Sequence, residues 1–489
     1  MKTVIRFLSL VMYMTFMIAC NKTDQLINVS PDINLKSVPI ECQVIPVLPN
    51  GNDDTEALQQ AFHDALPGSV VQLGKGTYHL DFMEIREFNG TFRGAGKGIT
   101  IITTVEDLDV DALKGQNLNT ILIRFVGGDV CMTNMTIRTP SGPLGSESII
   151  DGLVGFSGIT YQYSATNESI NALIDNVEFI GHWENCNFGL KAEFGCRYKV
   201  EFPGGWPSSN TNIKITNCLF QDFLKGGALI WHIKNGKIEV GTKNRGNVFN
   251  NIKDKQESAD VGYGALGIWM NVNVNISIVV NTFHNPPGTR FGIELWKAPW
   301  VAFLKEVPQT KTTVCNIEGN EFNNAGSAGG IKMNDRWRNY YPDDSPMLVE
   351  VKNNKFNMSE KAGSGIECYC MSGTIIRNNR FTGSGTYGIF LSAESWLTAI
   401  NENGLILGNN FSDAAFSVAT IMVYRRTRNW TIVGGGIGEN VMIRKDDINP
   451  NSNILVTGMN VNTSEVPPGQ TIVDNLEEMR DAFHDADHN

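Results

Sequence analysis

A parallel β-solenoid is the fold this sequence predicts, from a recurring Asn–Phe phrase, a second phrase of Gly and alternating apolar residues, and the interval at which both return. The first phrase appears as Asn176-Val-Glu-Phe179, Asn217-Cys-Leu-Phe220, Asn247-Val-Phe249, Asn281-Thr-Phe283, Asn320-Glu-Phe322, Asn354-Lys-Phe356, Asn379-Arg-Phe381 and Asn409-Asn-Phe411. Its shortest intervals, 25 residues from Asn354 to Asn379 and 30 from Asn379 to Asn409, suit one turn of a three-sided coil. The second phrase gives Gly189-Leu-Lys-Ala-Glu193, Gly227-Ala-Leu-Ile-Trp231, Gly267-Ile-Trp-Met-Asn271, Gly292-Ile-Glu-Leu-Trp296, Gly330-Ile-Lys-Met-Asn334, Gly365-Ile-Glu-Cys-Tyr369 and Gly388-Ile-Phe-Leu-Ser392.

Alternation with period two is the mark of a strand with one buried face. Units too short to bury that face alone must stack on their neighbours, about 4.8 Å apart. Asn suits the turns because it tolerates the left-handed conformation and bonds locally, and stacked Asn and Phe side chains can form ladders.

At the front, Asn52 to Phe62 reads as a helix with acidic residues at its start and with Ala57, Leu58, Ala61, Phe62 and Ala65 on one face, suited to capping an open solenoid end. Together Asp53-Asp-Thr-x-Ala-Leu-Gln-x-Ala61, Val71-x-Leu73 and Gly76-Thr-Tyr78 resemble the amino-terminal signature of the pectate lyase and polygalacturonase superfamily. The resemblance implies an all-β, right-handed parallel β-helix with an N-terminal capping helix. It implies no single activity, because the superfamily includes lyases, hydrolases, tailspikes and non-enzymatic surface proteins. Gly94-x-Gly96-Lys97-Gly98 lacks phosphate-loop spacing and reads as a turn.

The chain of 489 residues carries 40 Lys and Arg against 51 Asp and Glu, a net charge of −11 without a long basic run, which argues against nucleic acid as a partner. Lys2 and Arg6 precede an apolar run from Phe7 to Ala19 that is too short to span a membrane and reads as a signal peptide over 1–19. Met17-Ile-Ala-Cys20 resembles the lipobox of bacterial lipoproteins, which implies lipidation at Cys20 and a lipid-anchored place in the cell envelope, at the outer membrane. A tether over 20–44, the β-helix over 45–462, and a linker with a short helix over 463–489 complete the expected organisation. Cys186 and Cys196 are the best disulfide candidates by position, while Cys368-x-Cys370 reads as inward packing rather than as a zinc site.

Aligning the Gly-led strands turns the sequence into a surface map with two outward columns. The first runs Lys191, Leu229, Trp269, Glu294, Lys332, Glu367, Phe390; the second runs Glu193, Trp231, Asn271, Trp296, Asn334, Tyr369, Ser392. Aromatic faces bury the apolar sides of sugar rings while carboxylates and amides take the hydroxyls. The expected substrate-binding residues are therefore Trp231, Trp269, Asn271, Trp296, Asn334 and Tyr369, in a groove on a polysaccharide or oligosaccharide; the competing structural reading is a covered, charge-alternating ladder of Glu294, Lys332 and Glu367.

Glu294 and Glu367 lie two coils apart, about 9.6 Å, against roughly 6.5–9.5 Å between the carboxyls of inverting glycosidases. One would protonate the leaving oxygen and the other activate water, with Lys332 between them and Asp335 able to replace either. β-Elimination on a uronic acid is the competing chemistry: Lys332 as base, Arg336, Arg338 or a bound Ca2+ as neutraliser, and Tyr369 or His232 assisting. The polygalacturonase-type set of Asn-Thr-Asp, paired Asp, Gly-His-Gly and Arg-Ile-Lys is incomplete; Asp53-Asp54 and Asp343-Asp344 do not substitute. His182, His232 and His284 lack metal-ligand spacing, and Arg425, Arg426 and Arg428 read as solvated surface. The expected function is polysaccharide cleavage, hydrolysis placed ahead of elimination, with no required cofactor and Ca2+ only for a lyase. The alternative is a non-catalytic glycan-binding or adhesion scaffold.

Overall fold

A computed structural model describes residues 43–106, 108, 120–140, 149–157, 169–193, 210–233, 235–252, 264–270, 274–284, 291–297, 313–325, 329–335, 346–359, 363–393, 400–434, 440–443, 452–457 and 460–462. Cys20, the signal and tether segments up to residue 42, Cys196, Asn271, Arg336, Arg338, Asp343-Asp344 and everything after 462 lie outside the described residues.

From Val44 onward the strands pair in parallel, and through the middle of the chain each pairs with the one three places further on. Three strands per turn make a coil, and successive coils stack into a right-handed parallel β-helix. Parallel connections within a sheet are right-handed in nearly all cases, because a twisted strand packs back onto its sheet only in that sense. The core is the inside of this coil: Leu190, Ala228, Ile230, Ile268, Ile293, Leu295, Ile331, Met333, Ile366, Cys368, Ile389 and Leu391 all belong to it, as period-two alternation requires.

The Asn–Phe phrase builds two internal ladders. The rings of Phe179, Phe220, Phe249, Phe283, Phe322, Phe356, Phe381 and Phe411 stack with successive centroids 4.6–4.9 Å apart. Beside them Asn247, Asn281, Asn320, Asn354, Asn379 and Asn409 are buried, each of the first five donating Nδ2 to the next amide oxygen at 2.8–3.0 Å. The same Nδ2 groups donate to backbone carbonyls, so this row of amides closes the corner's hydrogen bonding.

The left-handed conformation falls on Asn176 and Asn217 themselves, but on the residue before the ladder Asn at Val280, Gly319, Asn353, Asn378 and Gly408. Asn134, Asn176 and Asn217 form a separate row at that more exposed edge. The leading glycines touch the Phe ladder: a Cβ at Gly292, Gly330, Gly365 or Gly388 would stand 2.5–2.7 Å from Phe322, Phe356, Phe381 or Phe411. The two recurring phrases are thus two halves of one packing contact.

The cap helix α1 (Thr55–His63) buries Thr55, Leu58, Ala61 and Phe62, whereas Ala57 is exposed and Ala65 half-buried. Phe62 enters the first coils edge-on against Phe88, Phe92 and Phe125. Asp54, fully buried, accepts the backbone N–H of Asn50 at 2.8 Å and of His79 at 3.0 Å, tying the helix start to the first strands. Gly94 to Gly98 is a turn, with Gly98 N–H donating to Thr136 Oγ1 at 2.8 Å.

Cys186 is a free, buried thiol that donates to the Phe188 carbonyl, and burial pushes its pKa up. The Cys186–Cys196 disulfide is therefore not formed: the alternation of its strand turns Cys186 into the core. Cys368 also faces the core, but Cys370, just past the strand end at φ 56°, packs instead on Ala393.

Candidate active site

One sheet of the coil carries the candidate site. Its successive strands are β1 (Cys186–Glu193), β2 (Gly226–Ile233), β3 (Leu266–Met270), β4 (Phe291–Lys297), β5 (Gly329–Asp335), β6 (Ser364–Tyr369), β7 (Arg380–Ser392) and β8 (Asn410–Val423). The register places Glu294, Lys332, Glu367 and Phe390 in one outward column, and Trp296, Asn334, Tyr369 and Ser392 in the next.

On β3 the column differs from the one expected. Trp269 pairs with Trp296, and Gly267, not Trp269, pairs with Glu294. Trp231 pairs with Trp269 in turn, so three tryptophans occupy consecutive rungs of the second column. Ala265 rather than Gly267 therefore stands where the other strands have their leading glycine. A slip of two residues keeps the same face buried, so alternation cannot detect it, whereas a slip of one would. The side chains of Trp231, Trp269 and His232 lie outside the described residues.

The open groove also needs correction. Glu294 is 2% exposed, Lys332 6%, and Trp296, Asn334 and Asp335 are fully buried, although all but the aliphatic stems of such residues would prefer water. By alternation Glu294, Trp296, Lys332 and Asn334 leave their strands on the face opposite the core residues Leu295 and Met333, and Trp296 is not part of the main core. Of the two glutamates, Glu367 alone keeps partial access to solvent.

Within this enclosure the contacts are specific. Trp296 Nε1 donates to Glu294 Oε1 at 2.6 Å, and Lys332 Nζ stands 3.8 Å from that same oxygen. The ammonium lies 5.3 Å from the Trp296 ring, 5.5 Å from Phe291 and 5.7 Å from Tyr369, within cation–π range of all three. Burial raises the pKa of Glu367; the Lys332 charge and hydrogen bonds with Ser364 and Tyr369 oppose that rise, and the Glu294 charge adds to it. Asp335 Oδ2 accepts the Met347 backbone N–H at 2.9 Å, which gives it a structural task at the start of the following strand.

Sequence reasoning missed Phe291 and Ser364. Both stand one position before the leading glycines, in a register column of Phe291, Gly329, Ser364 and Tyr387, and extending the map by one residue would have found them. Gly329, at φ 152°, makes the column possible: a Cβ there would meet the Ser364 carbonyl oxygen at 1.9 Å and the Phe291 ring at 2.9 Å. Beyond Glu367 the outer face becomes apolar, with Tyr369, Tyr387, Phe390, Met422, Tyr424 and Met442 forming a cluster separate from the core.

Towards the amino terminus of the same face Lys191 is also buried and pairs with Asp151 at 2.5 Å. Arg428 pairs with Glu402 at 2.6 Å, and the Arg425 guanidinium lies 5.0 Å from the Tyr424 ring centroid, so this basic cluster is engaged locally. His182 lies 3.8 Å from Glu184, and His284 is exposed beside Asn323. Among the described residues no three His, Cys, Asp or Glu side chains gather as a metal site.

No family model matches the chain, and no curated protein matches it. Solved structures do. The A-module of a mannuronan C-5 epimerase from Azotobacter vinelandii is similar at 14% identity and TM-score 0.41, over 85% of this chain and 96% of that one. A surface adhesin of Streptococcus pneumoniae is similar at 15% identity and TM-score 0.40, over 77% and 89%. A family 28 exopolygalacturonase of Yersinia enterocolitica is similar at 11% identity and TM-score 0.36, over 87% and 79%. At these values the function has to be read from the site itself.

Proposed function

We propose that the protein is a carbohydrate-active enzyme that cleaves glycosidic linkages by hydrolysis, with Glu367 as proton donor and Glu294 as the second carboxylate. The supporting observation is the ladder Glu294, Lys332, Glu367 on the outer side of the sheet, where burying charge is costly and neutral residues would serve a structural role better. Glu367 keeps access to solvent while burial raises its pKa, the condition a general acid needs near neutral pH. Two rungs separate the glutamates, about 9.6 Å along the axis before side-chain freedom is counted, comparable with the roughly 6.5–9.5 Å of inverting glycosidases. The proton would pass from the Glu367 carboxyl to the leaving oxygen, and a water beside Glu294 would attack the sugar carbon and give its proton to that carboxylate. The Trp296 indole N–H, by its hydrogen bond, and the Lys332 ammonium, by its ion pair, orient Glu294 for this role.

Elimination is the competing chemistry. Lys332 would be its base, an ammonium engaged by Glu294 and by three rings. One observation favours a different reading: burial of Glu294, Trp296, Lys332, Asn334, Asp335 and Tyr369 takes six expected groove residues away from solvent, as in a glycan-binding or adhesion scaffold without catalysis. The pattern ending at Cys20 supports placing either activity in the bacterial envelope on a lipid anchor, which mass spectrometry of the amino-terminal peptide tests.

The purified protein, incubated with neutral and uronate polysaccharides, separates these readings when reducing ends and the ultraviolet absorbance of unsaturated products are followed together. Reducing ends without absorbance, lost in Glu367→Gln, support hydrolysis. Absorbance that grows with product sinks the paired-glutamate mechanism, and binding without any product leaves the scaffold.

A further inference from the structure

The three rings around Lys332 come from the second outer column and from the Phe291 position that precedes the glycines: Trp296 on β4 and Tyr369 on β6 belong to the former and Phe291 on β4 to the latter, while Lys332 itself projects from β5 between them. A lysine stem is long and its ammonium has several rotamers, so an unrestrained Lys332 would average over positions and act weakly on its neighbours. Here the rings close off the sides, and Glu294 Oε1 at 3.8 Å fixes the end. Glu294 is held in turn by the Trp296 indole N–H, so one tryptophan both forms a wall of the cage and orients the anchor. Gly329 gives the Phe291 ring its room.

We propose that Lys332 is a positioning residue for Glu367: the ammonium, caged by Phe291, Trp296 and Tyr369 and anchored on Glu294, sets the pH at which Glu367 releases its proton. This rests on the reading of Glu367 as the acid. The groups acting on Glu367 are Lys332 on β5, Glu294 on β4, and Ser364 and Tyr369 on its own strand; the inward Cys368 is coupled to it as well, and on the other side β7 presents the uncharged Phe390. Among the described residues Lys332 is the only cation in this set. Its attraction for the ionised carboxylate works against burial and against the like charge of Glu294. Without the caged charge Glu367 would hold its proton too tightly to give it up and be recharged in each turnover, since transfer is best when the pKa lies near the working pH.

The experiment is a titration without substrate. Full-length protein labelled at the glutamate carboxyl carbon is followed by nuclear magnetic resonance, the Glu367 signal being assigned by its absence from Glu367→Gln. Lys332→Met is expected to raise the Glu367 midpoint by about one pH unit or more, roughly tenfold in proton affinity, and Lys332→Arg to keep it near the wild-type value. Because Lys332→Met leaves Glu294 without its cation, Glu294→Gln is compared with Lys332→Met/Glu294→Gln, a pair that isolates the lysine without a stranded charge; the double variant should titrate about one unit higher. Equal midpoints in that pair overturn the proposal. A protein that forms no product from any glycan but shows the midpoint shift would refute the enzymatic reading while leaving the charge coupling between Lys332 and Glu367 in place. An active enzyme with an insensitive midpoint would do the reverse.

Discussion

The same coils carry two ladders of opposite character. Inside, Asn281, Asn320 and Asn354 repeat one neutral side chain whose donor and acceptor meet the next copy, so every added rung satisfies the last. Outside, Glu294, Lys332 and Glu367 alternate in charge, and each rung depends on a different neighbour. The inner ladder can extend over many coils because it is self-complementary; the outer one is confined to three strands and ends at Phe390. Stability accounts for the first. For the second, burial of charge is a cost that the fold does not require, which is why it reads as a site.

From that contrast, the largest effect belongs to the outer ladder and to activity. Glu367→Gln should lower kcat by about 10²–10⁴-fold, the usual contribution of general acid catalysis, measured on whichever glycan the panel identifies. The same variant should not weaken the fold at neutral pH. With its folded pKa raised, Glu367 binds more protons folded than unfolded between its ordinary and its raised value, so it makes stability fall as pH climbs through that window. Glu367→Gln, which cannot ionise, should flatten that part of a urea-melt stability curve and leave the variant the more stable above it.

In the inner ladder the sign is opposite. Asn320→Ala removes a partner of Ile278 O, Asn354 Oδ1, and the Asn281 backbone N–H and Nδ2, and should cost at least about 3 kcal/mol in denaturant unfolding, at roughly 1–3 kcal/mol for each buried group left unsatisfied. A neutral result there would break the distinction between the two ladders. Gly365→Ala drives a Cβ to 2.5 Å from the Phe381 ring and should cost about 1–3 kcal/mol by overpacking, read from the same melts. The exposed pair Arg380–Asp413 supplies the lower bound: Arg380→Ala should change stability by less than about 1 kcal/mol.

Much of this was legible without coordinates. The Asn–Phe phrase identifies the coil because both residues stack on their own copies, and the leading glycines belong to it because the Phe rings occupy the space of their Cβ atoms. Glu294, Lys332 and Glu367 emerge as neighbours from counting alone, since strands with the same glycine offset pair in register. The neighbourhood of Trp269 does not, because a two-residue slip leaves hydrophobic alternation unchanged.

The sequence by itself therefore determined the repeat, the inward residues and the charged column, all consequences of period-two alternation and of identical side chains recurring at coil spacing. Only the tertiary structure decided that Trp296 and Glu294 are enclosed, that Phe291 joins Trp296 and Tyr369 around one ammonium, and that Cys186 remains a thiol. Alternation states which way a side chain leaves its strand. What it meets there depends on atoms remote in sequence, and so do the desolvation and charge that tune Glu367.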